Sequence, residues 1–149
     1  MQQKGTHLAS AEVKETFPCT PEQFFKILMD FDSYPKVLPE VKSCKVLKTE
    51  GGRRLVEFKV SVIKAFTYNL WITEEAPKRM SWVLESGDIF KTTTGSWELI
   101  DKGGKTEATY KVEAEFKVFV PGMVAKALVS VNLPNMMTAY QKRVKELYG

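Results

Sequence analysis

The stretch Ala-Thr-Tyr-Lys-Val-Glu-Ala-Glu-Phe-Lys-Val, residues 108–118, alternates apolar and polar side chains without a break. Tyr110 and Phe116 fall on one face of this pattern, whereas Lys111 and Glu115 fall on the other. A period of two residues with one polar face is typical of a β-strand in a sheet that is covered on one side and faces water on the other. The stretch therefore predicts the last strand of a half-covered antiparallel sheet.

The same alternation continues upstream, in segments separated by short turn signals. Apolar side chains recur at every second position over residues 56–62, 66–72 and 80–84. The turn signals are Gly51-Gly52, Ala76-Pro77-Lys78, Gly87-Asp88 and Lys102-Gly103-Gly104. Because short turns join antiparallel neighbours, we predict six successive antiparallel strands between residues 41 and 118. Residues 8–17 predict a further strand at the N-terminus.

Two short helices are predicted between the first strand and residue 41. The stretch Thr20-Pro21-Glu22-Gln23 has the features of a helix start: a capping residue, a proline at the first helical position and a glutamine that completes a capping box. Residues 24–31 continue with apolar side chains at helical spacing. A second helix would begin at Asp32 or Ser33 and stop before Pro39, because proline cannot continue it.

A long C-terminal helix is predicted from about residue 122 to residue 148. Its apolar positions form two stripes that do not share a phase, and Pro134 lies where the stripes meet. The first stripe consists of Val124, Leu128 and Val131, and the second consists of Leu133, Met137, Tyr140, Val144 and Leu147. Proline removes a backbone donor and clashes with the preceding turn, so it kinks a helix. We therefore predict one kinked helix across the concave face of the sheet. The alternative is two helices that meet at residues 132–134.

Three segments of the chain resemble one protein superfamily. Residues 30–41, Asp-Phe-Asp-Ser-Tyr-Pro-Lys-Val-Leu-Pro-Glu-Val, resemble the Asp…Tyr-Pro…Leu-Pro segment of the START-like (SRPBCC) superfamily. Residues 87–90, Gly-Asp-Ile-Phe, and residues 95–99, Gly-Ser-Trp-Glu-Leu, resemble a later hairpin of the same group. The most similar branch is that of the polyketide cyclases/dehydrases and coenzyme Q-binding proteins.

The resemblance covers residues 8–148 and implies an α+β helix-grip fold. In that fold a seven-stranded antiparallel sheet wraps around a long kinked C-terminal helix, and two short helices lie between strands 1 and 2. We expect a single START-like domain over residues 1–149, of which residues 1–7 form a frayed N-terminus. Because this superfold carries many unrelated activities, the fold does not decide the function.

Composition and charge narrow the class of protein. No apolar run approaches the ~20 residues of a membrane-spanning helix, and the first seven residues lack the apolar core of a signal peptide, so we expect a cytoplasmic protein. Cys19 and Cys44 make no disulfide framework and are interpreted as free thiols. Segment 36–64 has eight basic and three acidic residues, although the net charge of the whole chain is only +4. The segment could contact an anionic membrane or nucleic acid, or could be the solvated face of two strands.

The sequence offers few groups for catalysis. His7 is the only histidine and lies in the N-terminus that we expect to fray, no cluster has metal-ligand spacing, and no glycine-rich loop could cradle a phosphate. Strand parity places most strand carboxylates on the outer face. We therefore expect no catalytic residue, metal or cofactor. If the chain were an enzyme of the polyketide cyclase/dehydrase type, Tyr68, Tyr110 and Ser86 would be the residues to test.

The inner face of the predicted sheet and the facing side of the helix are apolar and aromatic. Periodicity cannot distinguish a filled core from a hollow one, but the resemblance implies a cavity between sheet and helix. The predicted ligand-binding residues are Phe58, Val60, Tyr68, Leu70, Trp82, Leu84, Trp97, Tyr110, Val112, Met123, Ala127, Leu128, Val131 and Met137. The leading hypothesis is a carrier or chaperone for a hydrophobic small molecule, of the lipid or polyisoprenoid quinone class that the resemblance implies.

Two alternative functions stay open. One is an aromatase/cyclase-type enzyme that holds a polyketide chain in the cavity. The other is an interaction module that uses the basic face on RNA or the ribosome, for which Trp71 on the outer face would be a contact. A carrier could also use segment 36–64 to reach an anionic membrane as a peripheral protein. Nucleic acid is the less expected partner.

Overall fold

Seven antiparallel strands form the main layer of the protein. The computed structural model describes residues 5–61, 65–121 and 133–149. The strands are β1 (Gly5–Phe17), β2 (Val41–Glu50), β3 (Arg53–Ser61), β4 (Ala65–Glu75), β5 (Arg79–Gly87), β6 (Phe90–Asp101) and β7 (Thr106–Pro121). Their order in the sheet is β1-β7-β6-β5-β4-β3-β2, so the first strand pairs with the last and β2 forms the far edge. The predicted meander is confirmed.

The segment between β1 and β2 is helical, as the sequence predicts. Helix α1 (Pro21–Leu28) begins with the predicted capping box. The Gln23 backbone N–H donates to the Thr20 hydroxyl at 3.2 Å, and the Thr20 N–H donates to the Gln23 side-chain oxygen at 2.9 Å. A short 3-10 turn (Phe31–Ser33) then leads into helix α2 (Tyr34–Val37). These reciprocal bonds satisfy backbone donors that a helix start leaves free.

The C-terminal helix α3 (Leu133–Tyr148) packs on the inner side of the sheet. Met137, Tyr140 and Val144 are buried, as the predicted stripe requires, whereas Leu147 at the end of the stripe is 47% exposed. Residues 122–132, which the sequence assigns to the first half of this helix, lie outside the described residues, and so does the predicted kink. Within the described ranges, no helix is long and apolar enough to cross a membrane.

Phe24 lies at the centre of the core. Its ring stacks on Phe17 of β1 with the centroids 4.3 Å apart, and it meets Trp97 of β6 at 5.4 Å and Tyr140 of α3 at 5.8 Å in edge contacts. Phe24 has no accessible surface. One residue of α1 therefore joins the sheet to the C-terminal helix.

Candidate ligand pocket between the sheet and the C-terminal helix

A pocket of about 220 Å³ lies between the inner face of the sheet, α2 and the start of α3. The sheet supplies most of its wall, from β2 to β7. Tyr34 of α2, together with Leu38 and Glu40 from the segment between α2 and β2, forms a second part of the lining. Leu133 and Met136 of α3 complete the described lining. The wall is mostly apolar and aromatic, which is the composition typical of a small-molecule site.

Eight of the fourteen predicted ligand-binding residues line this pocket. They are Phe58, Val60, Tyr68, Leu70, Trp82, Trp97, Tyr110 and Val112. Leu84 and Met137 do not line it: Leu84 is half-buried on β5, and Met137 is buried against the core. Met123, Ala127, Leu128 and Val131 lie outside the described residues. Strand alternation therefore predicts strand residues that line the pocket, with Leu84 as the exception.

Sequence analysis missed part of the lining. The missed residues are Tyr34, Leu38, Glu40, Val41, Ile72, Met80, Phe90, Thr93, Ala114, Leu133 and Met136. Parity could have found Ile72, Met80 and Ala114, which alternate with outward residues on strands that the sequence already predicts. Nothing in the spacing indicates that Tyr34 and Leu38 reach the pocket, because the helical segment that carries them is too short to show a face.

Aromatic contacts fix the walls of the pocket. The Tyr110 ring lies 5.0 Å from the Trp97 ring and 5.7 Å from the Trp82 ring, centroid to centroid. Gly95 faces Trp82 across the β5–β6 pair. A Cβ at Gly95 would collide with the Trp82 indole and lie 2.5 Å from the Lys111 carbonyl oxygen. A glycine is therefore needed for Trp82 to lie against β6 and form the wall.

Four tyrosines lie at or beside the pocket: Tyr34 and Tyr140 are buried, and Tyr68 and Tyr110 are half-buried. The Tyr34 hydroxyl donates to the Leu28 carbonyl oxygen, and the Tyr140 hydroxyl lies beside it. Tyr68 and Tyr110 both line the pocket. Burial raises the pKa of all four phenols above the ordinary value of 10.0. All four are therefore neutral at physiological pH and act as hydrogen-bonding groups rather than as charges.

The buried thiols and phenols predict a loss of stability at alkaline pH. Burial raises the pKa of Cys19 to about 11 and that of Cys44 to about 12, from 9.0 in each case. In this range the unfolded chain releases protons that the folded chain retains, so the stabilisation is complete below pH 9 and is lost as the pH rises through the folded values. At about 1.4 kcal/mol per pKa unit, Cys44 alone contributes on the order of 4 kcal/mol.

Urea unfolding at intervals from pH 8 to pH 11 measures this loss. We expect the midpoint to fall with pH, and to fall less steeply in a Cys44→Ala variant. A midpoint that stays constant up to pH 11 would contradict the burial of these groups.

Ser86 does not line the pocket. The alternation of the preceding residues of β5, continued to this position, would place Ser86 on the inner face, and the structure corrects this prediction. The register between β4 and β5 shifts at this point: Leu70 pairs with Leu84, but Asn69 pairs with Ser86, so Glu85 is an extra residue. Such a β-bulge reverses the facing of the residues beyond it. The exposed Ser86 hydroxyl accepts a hydrogen bond from the Asn69 side chain at 3.2 Å on the outer face.

The pocket has one carboxylate in its described lining, Glu40, which is half-buried. The Thr93 hydroxyl, also in the lining, donates to the Glu113 carbonyl oxygen at 2.8 Å, so its proton is already engaged. Glu98 on the outer face lies 3.6 Å from Arg79. In the described part of the chain, no group of His, Cys, Asp and Glu residues could hold a metal ion.

The basic segment 36–64 lies mainly along α2, the edge strand β2 and β3. Its basic residues are Lys36, Lys42, Lys45, Lys48, Arg53, Arg54, Lys59 and Lys64, of which Lys64 falls outside the described residues. Glu50 lies 3.8 Å from Lys48 and 3.7 Å from Arg53, and Arg54 lies 3.3 Å from Glu74. The remaining lysines keep a positive surface at the sheet edge.

Trp71 lies on the outer face of the sheet and is only half-exposed. The Arg53 guanidinium stacks 4.2 Å from the centre of its ring, and its indole N–H donates to Glu85 at 2.9 Å. The sequence predicts the correct face for this residue, but the side chain is covered by its neighbours. Its exposure alone therefore does not indicate a contact site.

Comparison with known proteins identifies one matching family and several relatives that match most of the chain. The profile of the family described as polyketide cyclase / dehydrase and lipid transport matches residues 17–140. A ribosome association toxin, RatA of Vibrio cholerae, is 28% identical over 134 residues, which cover 86% of this chain and 90% of that protein.

Two solved structures extend the comparison. A START superfamily protein from Mycobacterium smegmatis has a TM-score of 0.81 and 25% identity, and the match covers 95% of this chain and 99% of that one. The Zhui aromatase/cyclase from Streptomyces has a TM-score of 0.67 and 16% identity, with 94% and 88% of the chains covered. The likeness to Zhui shows the fold alone, and the START-like helix-grip assignment made from the sequence is confirmed.

Proposed function

Because the chain belongs to the polyketide cyclase / dehydrase and lipid transport family, we propose that it is a carrier or chaperone that holds a hydrophobic small molecule of the lipid or polyisoprenoid quinone class between the sheet and the C-terminal helix. The observation that carries this proposal is the pocket of about 220 Å³ with its mostly apolar and aromatic lining. Such a lining binds by removing apolar surface from water and needs no reactive group.

The free energy gained by apolar burial is sufficient for binding, but it exceeds the cost of association by only a small margin. A ligand that buries ~400 Å² of apolar surface gains about 10 kcal/mol. Association costs about 4–15 kcal/mol, so the two terms are similar in size. A pocket lining that is already ordered before the ligand binds lowers the free-energy cost of association. The stacked contacts of Tyr110 with Trp82 and Trp97 supply such order on one wall.

A carrier is preferred to a cyclase because the pocket lacks a suitable proton-transfer group among the candidates. General acid–base catalysis works best with a pKa near the working pH. Burial moves the pKa of Tyr68 and Tyr110 further from neutrality. The third candidate, Ser86, lies on the outer face.

Exposed lysines beside the pocket suit a carrier that loads at a membrane. Lys36, Lys42 and Lys45 are exposed on α2 and the edge strand β2, next to pocket residues Leu38 and Val41. Each basic residue near an anionic bilayer contributes ~1 kcal/mol. Segment 36–64 would therefore hold the protein at an anionic membrane during transfer.

Ribosome association is the second candidate function, favoured by the similarity to RatA over most of both chains. The same exposed lysines would meet RNA phosphates. Ionic strength separates the two functions, because binding to phosphates weakens steeply with salt whereas binding of a neutral ligand in a pocket does not.

Native mass spectrometry of freshly purified protein tests the proposed function. We expect a co-purified lipid or quinone at near one-to-one stoichiometry, retained at high salt and released into organic solvent. A protein of bare mass that also takes up no added quinone or neutral lipid would contradict the carrier. Co-purified RNA that is lost at high salt would favour ribosome association instead.

A further inference from the structure

The tyrosine hydroxyls at the pocket differ in their partners. Tyr34 is engaged within the protein, because its hydroxyl donates to the Leu28 carbonyl oxygen beside Tyr140. Among the described residues, neither the Tyr68 nor the Tyr110 hydroxyl has a hydrogen-bond partner, although both side chains retain accessible surface within the pocket lining. A hydroxyl that faces the pocket without a partner among the described residues has a proton that it can donate to a bound molecule. A ligand with an acceptor oxygen there would gain hydrogen bonds that a hydrocarbon of the same shape cannot make.

The rings of these two tyrosines are held in place from both sides. Tyr68 stacks on Phe58 with the centroids 5.3 Å apart and meets Phe90 edge-on at 5.4 Å. Tyr110 packs between Trp82 and Trp97. Both side chains line the same pocket, so the two phenols are positioned donors beside one space.

The size of the pocket limits what enters it. Sites that enclose a whole drug-sized ligand have volumes of about 300–1,000 Å³. The observed volume of about 220 Å³ suits one ring-sized group. Leu38, Glu40 and Met136 line both this pocket and a surface cleft between α2 and α3, so the rest of a longer molecule can leave there.

The charge of the lining opposes an anionic group. The described lining contains the Glu40 carboxylate and no lysine, arginine or histidine. A carboxylate or phosphate that is buried without a cationic partner loses its hydration and gains no compensating attraction. The phenols offer donors to a neutral oxygen without requiring a counter-ion.

We propose that the pocket is a head-group site selective for a neutral, ring-sized group with a carbonyl oxygen, which Tyr68 and Tyr110 bind as hydrogen-bond donors, and that it rejects carboxylate and phosphate head groups. This inference rests on the proposed function, since it names the chemistry of the ligand in the same pocket.

Three naphthalene derivatives of similar size test this selectivity by titration calorimetry. They are 2-acetonaphthone with a carbonyl, 2-ethylnaphthalene without a polar atom, and 2-naphthoate with a carboxylate. We expect 2-acetonaphthone to bind roughly tenfold more tightly than 2-ethylnaphthalene, from two net hydrogen bonds. We expect 2-naphthoate to bind at least roughly tenfold more weakly than 2-ethylnaphthalene.

Tyrosine variants assign the preference to its residues. Tyr68→Phe and Tyr110→Phe should each reduce the preference for 2-acetonaphthone over 2-ethylnaphthalene, and the double variant should abolish it. Tyr148→Phe is the matched control, because Tyr148 lies at the end of α3, outside the pocket lining. A preference that persists in the folded double variant would overturn the assignment to these tyrosines.

The ligand series separates the two proposals. Equal binding of the ketone and the hydrocarbon by the unmodified protein would overturn the head-group inference and leave the apolar pocket standing. A failure to bind any of the three compounds would contradict the proposed pocket itself, and the inference would fall with it.

Discussion

We expect Val112→Trp to weaken the binding of 2-ethylnaphthalene by at least about 100-fold, which corresponds to the loss of ~2.8 kcal/mol of binding free energy. Val112 lines the pocket, and its cross-strand partners are the small residues Gly95 and Ala11. An indole at this position can therefore extend into the pocket and occupy the space of the ligand. The larger side chain should cost the fold about 1–3 kcal/mol.

The matched control for this variant is Val83→Trp. Val83 lies on the outer face of β5 and is 47% exposed, so the same substitution there leaves the pocket unchanged. Titration calorimetry with both variants compares them directly. If Val112→Trp bound the hydrocarbon as tightly as Val83→Trp, the ligand would lie elsewhere on the protein.

The second large effect concerns stability. We expect Phe24→Ala to lower the free energy of unfolding by about 3–5 kcal/mol, because the truncation leaves a cavity where rings from β1, β6 and α3 converge. Phe24→Leu keeps part of the volume and should cost less. The exposed neighbour Lys26 provides the control, since Lys26→Ala should stay within about 0.5 kcal/mol of the unmodified protein.

Urea denaturation followed by circular dichroism measures these differences. A loss below about 1 kcal/mol for Phe24→Ala would mean that the junction of α1, the sheet and α3 does not hold the two layers together.

The fold could be predicted because its signals are local and mutually consistent. Alternation over residues 108–118 placed Tyr110 and Val112 on the inner face, and the capping box placed the start of α1. The order of the elements and the Tyr-Pro…Leu-Pro segment then indicated the helix-grip fold. Each step depends on neighbours in sequence, which a single chain displays directly.

The site was predicted less completely because parts of it depend on features that alternation does not encode. One extra residue, Glu85, reverses the parity beyond it and turns Ser86 outward. The apolar stripe of the C-terminal helix predicted Met137 as a ligand-binding residue. Met137 is instead buried in the core, and its neighbour Met136 lines the pocket. Tyr34 and Leu38 reach the pocket only through the path of the chain between β1 and β2.

The two faces of the sheet divide the three tryptophans into two optical environments. Trp82 and Trp97 line the pocket, whereas Trp71 lies on the outer face beneath Arg53. A bound ligand would perturb the emission of the first two and leave the third as a constant background. In a chain with Trp71→Phe, the tryptophan emission would therefore come only from Trp82 and Trp97 in the pocket, and it would report occupancy without a label.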